Sequence, residues 1–143
     1  MILSANSVTH ELILNNRNVV RMLDMLGTDD LSAAMLDGMN HVNTKKLATA
    51  IYALDRSNFK SLDEVYDFLD DYKAEHECTV REIYADLIRE FNDHYFFDRK
   101  MTEKELTEWM NNPLAGRMDD ILAEAAGKAI GSMAEEQFAA RGM

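Results

Sequence analysis

The sequence predicts a mainly α-helical fold: a compact bundle of about five to seven short helices, with one N-terminal strand candidate and a C-terminal helical arm. Three observations carry that prediction. Apolar residues recur at three-and-four spacing in one segment after another. Capping signatures open those segments in register with the apolar stripes. A single proline, Pro113, and six glycines are too few turn formers for an all-β chain.

Taken in order, Thr9–Leu14 reads THELIL and is the strand candidate. Leu12 and Leu14 share one face, and Glu11 and Ile13 the other. A lone strand is unstable, so it needs a partner, another subunit being one source. Asn15 or Asn16 caps a first helix with Val19, Val20, Leu23 and Leu26 on one side and Gly27 as its stop. Thr28 or Asp29 opens a shorter helix that turns Leu31, Met35 and Leu36 inward and ends at Gly38 and Asn40. Asn43 caps a third, with Leu47, Ala50, Ile51 and Leu54 inward. Residues 55–60 form a polar loop with Phe59 tucked in.

Ser61 and Glu64 form a capping box ahead of the stripe Leu62, Val65, Tyr66, Leu69 and Tyr72. Asp63, Asp67, Asp70 and Asp71 fall on its wet side. A turn over residues 74–78 leads to the central helix of the chain. There Thr79 and Glu82 make a second box, and Val80, Ile83, Tyr84, Leu87, Ile88 and Phe91 form one continuous stripe. That helix runs out into Tyr95-Phe96-Phe97, the densest aromatic patch, which can close a core or expose a docking point. Core burial is expected for at least two of the three. Thr102 and Glu105 make a third box, opening a helix with Leu106, Trp109 and Met110.

Residues 1–111 therefore read as a helical body and 112–143 as an arm of different character. Asn112-Pro113 is a cap followed by proline at the first helical position. Met118, Ile121, Leu122, Ile130 and Met133 lie on a stripe rich in small residues. Gly116, Gly127 and Gly131 each weaken an isolated helix by about 1 kcal/mol relative to alanine. Such a helix needs a partner: its own body, another subunit or a client. Tyr95, Phe96 and Phe97 and the five arm residues are the candidate protein contacts.

Composition narrows the function classes. The chain has 143 residues, 47% of them apolar and 29% charged, as in an ordinary globular domain. Its net charge of −11 opposes binding to nucleic acid or to an anionic membrane, since both need a basic face. The same charge suits a basic protein partner. Ten methionines can fill core gaps or serve an adaptable surface. With one cysteine, Cys78, no internal disulfide forms and a reducing compartment is expected. No apolar run spans a membrane and no secretory leader is evident, so the expected location is cytoplasmic.

No catalytic, cofactor or metal residues are assigned. His76-Glu77-Cys78 lacks the four ligands of a structural zinc site. His10, His41 and His94 are scattered, and no glycine-rich phosphate loop occurs. Cys78 has acidic neighbours, Glu75 and Glu77, which oppose a reactive thiolate. The aspartates at 67, 70 and 71 lack the glycine turn of a calcium loop and read as a solvated face.

The order of features resembles the tail assembly chaperones of long-tailed phages and prophages of Gram-positive bacteria. The resemblance covers roughly residues 9 to 101. It rests on LILNNRNVVRMLDMLG (12–27), on DEVYDFLDDY (63–72), which stands where the family has a "DVYDLLDEY"-like helix, and on DHYFFDRKM (93–101). Phe96-Phe97 stands for the pair of a family "GFF"-like motif, with Tyr95 in place of the glycine. The resemblance implies a non-enzymatic assembly factor that coats the tape measure protein, helps recruit tail tube protein, self-associates and is absent from the mature virion. It would act in a bacterial host cytoplasm without cofactors. A rival reading from charge alone is an acidic, phage-encoded inhibitor or adaptor that binds a host nucleic-acid-processing protein.

Overall fold

The computed structural model describes residues 1–55 and 58–112. Two strands precede six helices: β1 (Ile2–Ala5), β2 (Val8–Glu11), α1 (Asn16–Leu26), α2 (Leu31–Asn40), α3 (Thr44–Leu54), α4 (Leu62–His76), α5 (Val80–Asp93) and α6 (Glu103–Met110). The fold is mainly helical, as expected. The described residues belong to one unit, Met1–Pro113. The arm positions Met118, Ile121, Leu122, Ile130 and Met133 lie outside them.

The N-terminal strand finds its partner within the chain, so no second subunit is needed for it. β1 and β2 pair antiparallel, with Leu3 opposite His10 and Ala5 opposite Val8. Asn6 and Ser7 both have positive φ, 52° and 67°, as a tight two-residue hairpin turn requires. The expectation missed this because β1 is short and its turn carries serine where glycine is usual. Alternation puts Leu3, Ala5 and His10 on the buried face, and Leu12 continues it. β1 packs on α4. There the His76 Nε2–H donates to the Ser4 carbonyl at 2.7 Å, occupying an edge acceptor.

Helix starts follow the sequence closely. Asn15, Asn43, Thr79 and Thr102 cap α1, α3, α5 and α6 through their side chains, and the last two helices have both halves of the box. Asp30, one residue past the expected start, caps α2. At α4 only half of the expected box forms: Ser61 accepts from the Glu64 N–H, while Glu64 reaches back to the N–H of Lys60.

Helix ends are less regular. After α1, Gly27 takes the left-handed conformation at φ 74°. After α2 that position falls to Val42, at φ 50°, and after α4 to Glu77, at φ 50°. A β-branched residue is strained there. Gly38 does not end α2, contrary to expectation; it is buried inside the helix.

α1 packs on α3, α3 on α4 and α2 on α5. Every apolar residue expected on the α5 stripe is buried, as are Leu47, Ala50, Ile51 and Leu54 of α3 and Phe59 beyond it. Val20, expected inward on α1, is 57% exposed, and Met22 fills the core instead. Phe68 of α4, not on the expected stripe, is also buried.

Two buried contacts fix the arrangement. Tyr84 of α5 is fully buried, lies against Gly38 of α2, and donates its hydroxyl to the Asn43 carbonyl at 2.6 Å. A methyl group at Gly38 would sit 2.5 Å from the Tyr84 Oη and 2.7 Å from its Cζ. The second contact ties the hairpin to the end of α3. The His10 Nδ1–H, assigned from its carboxylate partner, donates to Asp55 Oδ2 at 2.7 Å. The imidazole stacks on Phe59 at 3.7 Å and meets the edge of Phe68 at 4.8 Å. Asn58 donates to the other carboxylate oxygen at 3.0 Å.

Gly38→Ala is expected to cost about 1–3 kcal/mol in urea unfolding, because Tyr84 must shift away from its carbonyl partner. A variant as stable as the parent would remove that contact from the account. Desolvation of Asp55 outweighs its bonds to His10 and Asn58, so its carboxyl titrates above the ordinary 3.8. The folded chain then keeps a proton that the unfolded chain has lost, and this group makes stability fall as pH rises from 3.8 to the raised value. Asp55→Asn should flatten that part of the thermal-stability profile. Melting curves across the acid range with an unchanged slope would contradict the assignment.

Candidate functional site

α5 ends in a motif that places the aromatic patch. The Phe96 N–H donates to the Phe91 carbonyl at 3.0 Å and the Tyr95 N–H to the Asn92 carbonyl at 3.2 Å. Together these bonds form the Schellman closure, with Tyr95 at the left-handed position, φ 64°. The hydrophobic contact that accompanies such an end is Phe96 on Phe91, edge to face at 5.8 Å. Glycine is the usual residue at that position because a Cβ is unfavourable there.

The backbone turn decides where each ring goes. Tyr95 is thrown outward and is 73% exposed, with the Lys100 ammonium 5.1 Å from its ring centre. Phe96 and Phe97 are half-buried. Phe97 leans on Phe91 at 6.5 Å and on Trp109 of α6 at 5.1 Å. Burial of at least two of the three was expected; in fact none is wholly inside. Phe96 and Phe97 have one side against Phe91 and the other in an open trough.

The loop that follows is held from below. Asn92 is buried; its amide donates to the Met101 carbonyl at 3.0 Å and its oxygen accepts from the Met101 N–H at 2.9 Å. Leu106 and Met110 then seat α6 in the core, which leaves Trp109 half-buried beside Phe97.

Two adjoining hollows make the trough. One, of about 520 Å³, runs along the start of α2, from Thr28 to Ser32, against Phe96, Phe97 and Asp98. The other, of about 170 Å³, shares Ser32, Phe97 and Asp98 and reaches Arg99, Met101 and Trp109. Both exist because α2 and α5 run antiparallel. Gly38 and Asn40 at the end of α2 meet Tyr84 and Arg81 near the start of α5, so the start of α2 comes beside the exit of α5.

The rim is acidic. Asp30 spends one oxygen on capping α2 through the Ala33 N–H. Asp29 and Asp98 make no hydrogen bond or ion pair among the described residues. Arg99 lines the smaller hollow but pairs with Glu105 at 3.0 Å. The Thr102 backbone N–H, and then Arg99, hold the Glu105 carboxyl below its usual range.

Among the described residues the histidines and the cysteine considered from sequence lie in separate settings. His76 contacts Ser4, and its ring lies 4.2 Å from Tyr72. Burial pushes the Cys78 thiol up, with Glu82 and Asp86 adding to it; Glu75 and Glu77, blamed from sequence, are not the causes. His10 is committed to Asp55. Among the described residues no three His, Cys, Asp or Glu side chains are grouped to hold a metal ion. Among them, too, no helix is long and apolar enough to cross a membrane. The sequence pointed to Tyr95, Phe96 and Phe97, but gave Trp109 only as an apolar residue of α6. It gave no sign that residues 28–32 would face them, because that depends on how α2 lies on α5.

Compared with family models, curated proteins and solved structures, the chain matches none.

Tyr95→Gly is expected to stabilise the protein by about 0.5–1 kcal/mol. It relieves a left-handed side chain costing about 1–2 kcal/mol and gives part of that back as unfolded-chain entropy. Urea unfolding checks this, and a destabilised variant would mean that the exposed ring is held by contacts stronger than the backbone strain.

Proposed function

We propose that this chain is a tail assembly chaperone of a long-tailed phage or prophage. It binds and coats the tape measure protein, associates with copies of itself and helps bring tail tube protein to the growing tail. It catalyses no reaction and does not remain in the mature virion. The sequence resemblance over residues 9 to 101 is the basis of this reading.

One structural observation supports it above the rest. Tyr95 stands where the "GFF"-like motif has glycine, and it is the one residue of the three with positive φ. A motif of that form describes a helix closure followed by two aromatic rings, which is the local structure found at 95–97. The aromatic trough beside it supplies a grip for a polypeptide, because aromatic residues, phenylalanine and tryptophan among them, are enriched at the cores of protein contacts. Many weak contacts of this kind along a long client give firm yet reversible coating.

The exposed aspartates of α4, at 63, 67, 70 and 71, favour the rival reading of an acidic inhibitor or adaptor. Co-expression with a tape measure protein from the source genome separates the two. Co-purification, with the tape measure protein kept in solution, is the expected result. Failure to bind tape measure or tube protein, together with capture of a host nuclease or polymerase, would replace the chaperone reading with the rival.

A further inference from the structure

We propose that the trough between the start of α2 and the exit of α5 is a docking site for a basic, apolar segment of a partner protein. Such a segment would place an aliphatic or aromatic side chain against Phe96, Phe97 and Trp109, and a lysine or arginine beside Asp29 and Asp98. The inference deepens the chaperone reading by giving the chemistry of the partner. It does not depend on which protein the partner is.

The floor and the rim argue separately and agree. Three aromatic residues from two elements converge on hollows of about 520 and 170 Å³ that meet at Ser32, Phe97 and Asp98. Rings half-buried against a fixed core lose little freedom when a ligand covers them, so they make rigid anchors. The anchors are fixed because Asn92 holds Met101 with two hydrogen bonds and Phe91 backs both phenylalanines. The rim then selects by charge. Among the described residues Asp29 and Asp98 have no partner, and the one cation on the lining, Arg99, is paired with Glu105.

Other occupants fit less well. Phosphate-bearing ligands, nucleic acid included, would meet unpaired carboxylates and a chain of net charge −11. A second copy would bring the same charge and the same acidic rim, and like charges facing each other oppose docking. A basic segment gains from both the local rim and the long-range field, which speeds encounter and weakens with salt.

The test uses the full chain and Trp109, its single tryptophan, as an internal reporter. Three synthetic peptides are titrated: one with leucine and phenylalanine flanked by lysine, one with glutamate in place of lysine, and one with serine in place of the apolar residues. The lysine-flanked apolar peptide should shift Trp109 emission saturably, and amide shifts should concentrate at residues 28–32 and 96–101. Raising salt should weaken binding. Asp29→Asn with Asp98→Asn should weaken it about threefold to tenfold, the effect of losing two exposed charge pairs, while leaving the fold intact. Equal binding of the glutamate peptide, indifference to the double variant, or shifts elsewhere would overturn the proposal. So would no binding at all, or an emission change on concentrating the protein alone, which would identify a second copy as occupant. Because the probes are synthetic, the trough can pass this test while tape measure protein fails to bind, and the reverse is equally visible.

Discussion

The close approach of Tyr84 to Gly38 is the contact around which the helical body is arranged. Glycine removes the one side chain that would keep α2 away from α5 at that point, and the phenol fills the space. Its hydroxyl reaches on to the Asn43 carbonyl, at the corner where α2 turns into α3. One aromatic residue thus fixes three elements. A buried hydroxyl left unpaired would be costly, so the position of the corner and the position of the ring enforce each other. Burial also pushes the phenol far above its ordinary pKa, which keeps it a neutral donor.

The antiparallel lie of α2 on α5 follows from that contact, and the trough follows from the antiparallel lie. The end of α2 is spent on Tyr84 and Arg81, so its beginning is carried to the far end of α5. There α5 has just closed in the left-handed turn at Tyr95, which delivers Phe96 and Phe97 to the same place. The hairpin is tied independently, through His10 and Asp55 below and His76 above. These polar ties add to the apolar face that Leu3, Ala5 and Leu12 bury, while α5 is held mainly by apolar contact.

Strain is placed where it is least shielded. Val42, Glu77 and Tyr95 each hold a left-handed backbone at a helix end, and among the described helices only α1 uses glycine for that purpose. Val42 and Tyr95 are also among the most exposed large apolar residues. A helix can end this way at a cost of a kcal/mol or so when its packed face repays it. The α5 stripe, buried from Val80 to Phe91, is such a face.

The sequence by itself determined the class of fold, the helix starts and the central stripe. Those features are local: a capping side chain bonds an N–H within three residues, and helical spacing alone selects a face. It was weaker on helix ends, reading Gly38 as a stop, because glycine in a helix interior looks like glycine at its end until the neighbouring ring is seen. It named the aromatic patch but not its surroundings, and it set His10 aside as one of several scattered histidines. Only the tertiary structure paired His10 with Asp55, joined β1 to β2, turned Tyr95 outward and brought residues 28–32 to Phe97. Each of these joins groups whose relation is set by the meeting of two chain segments, and no local preference specifies which segments will meet.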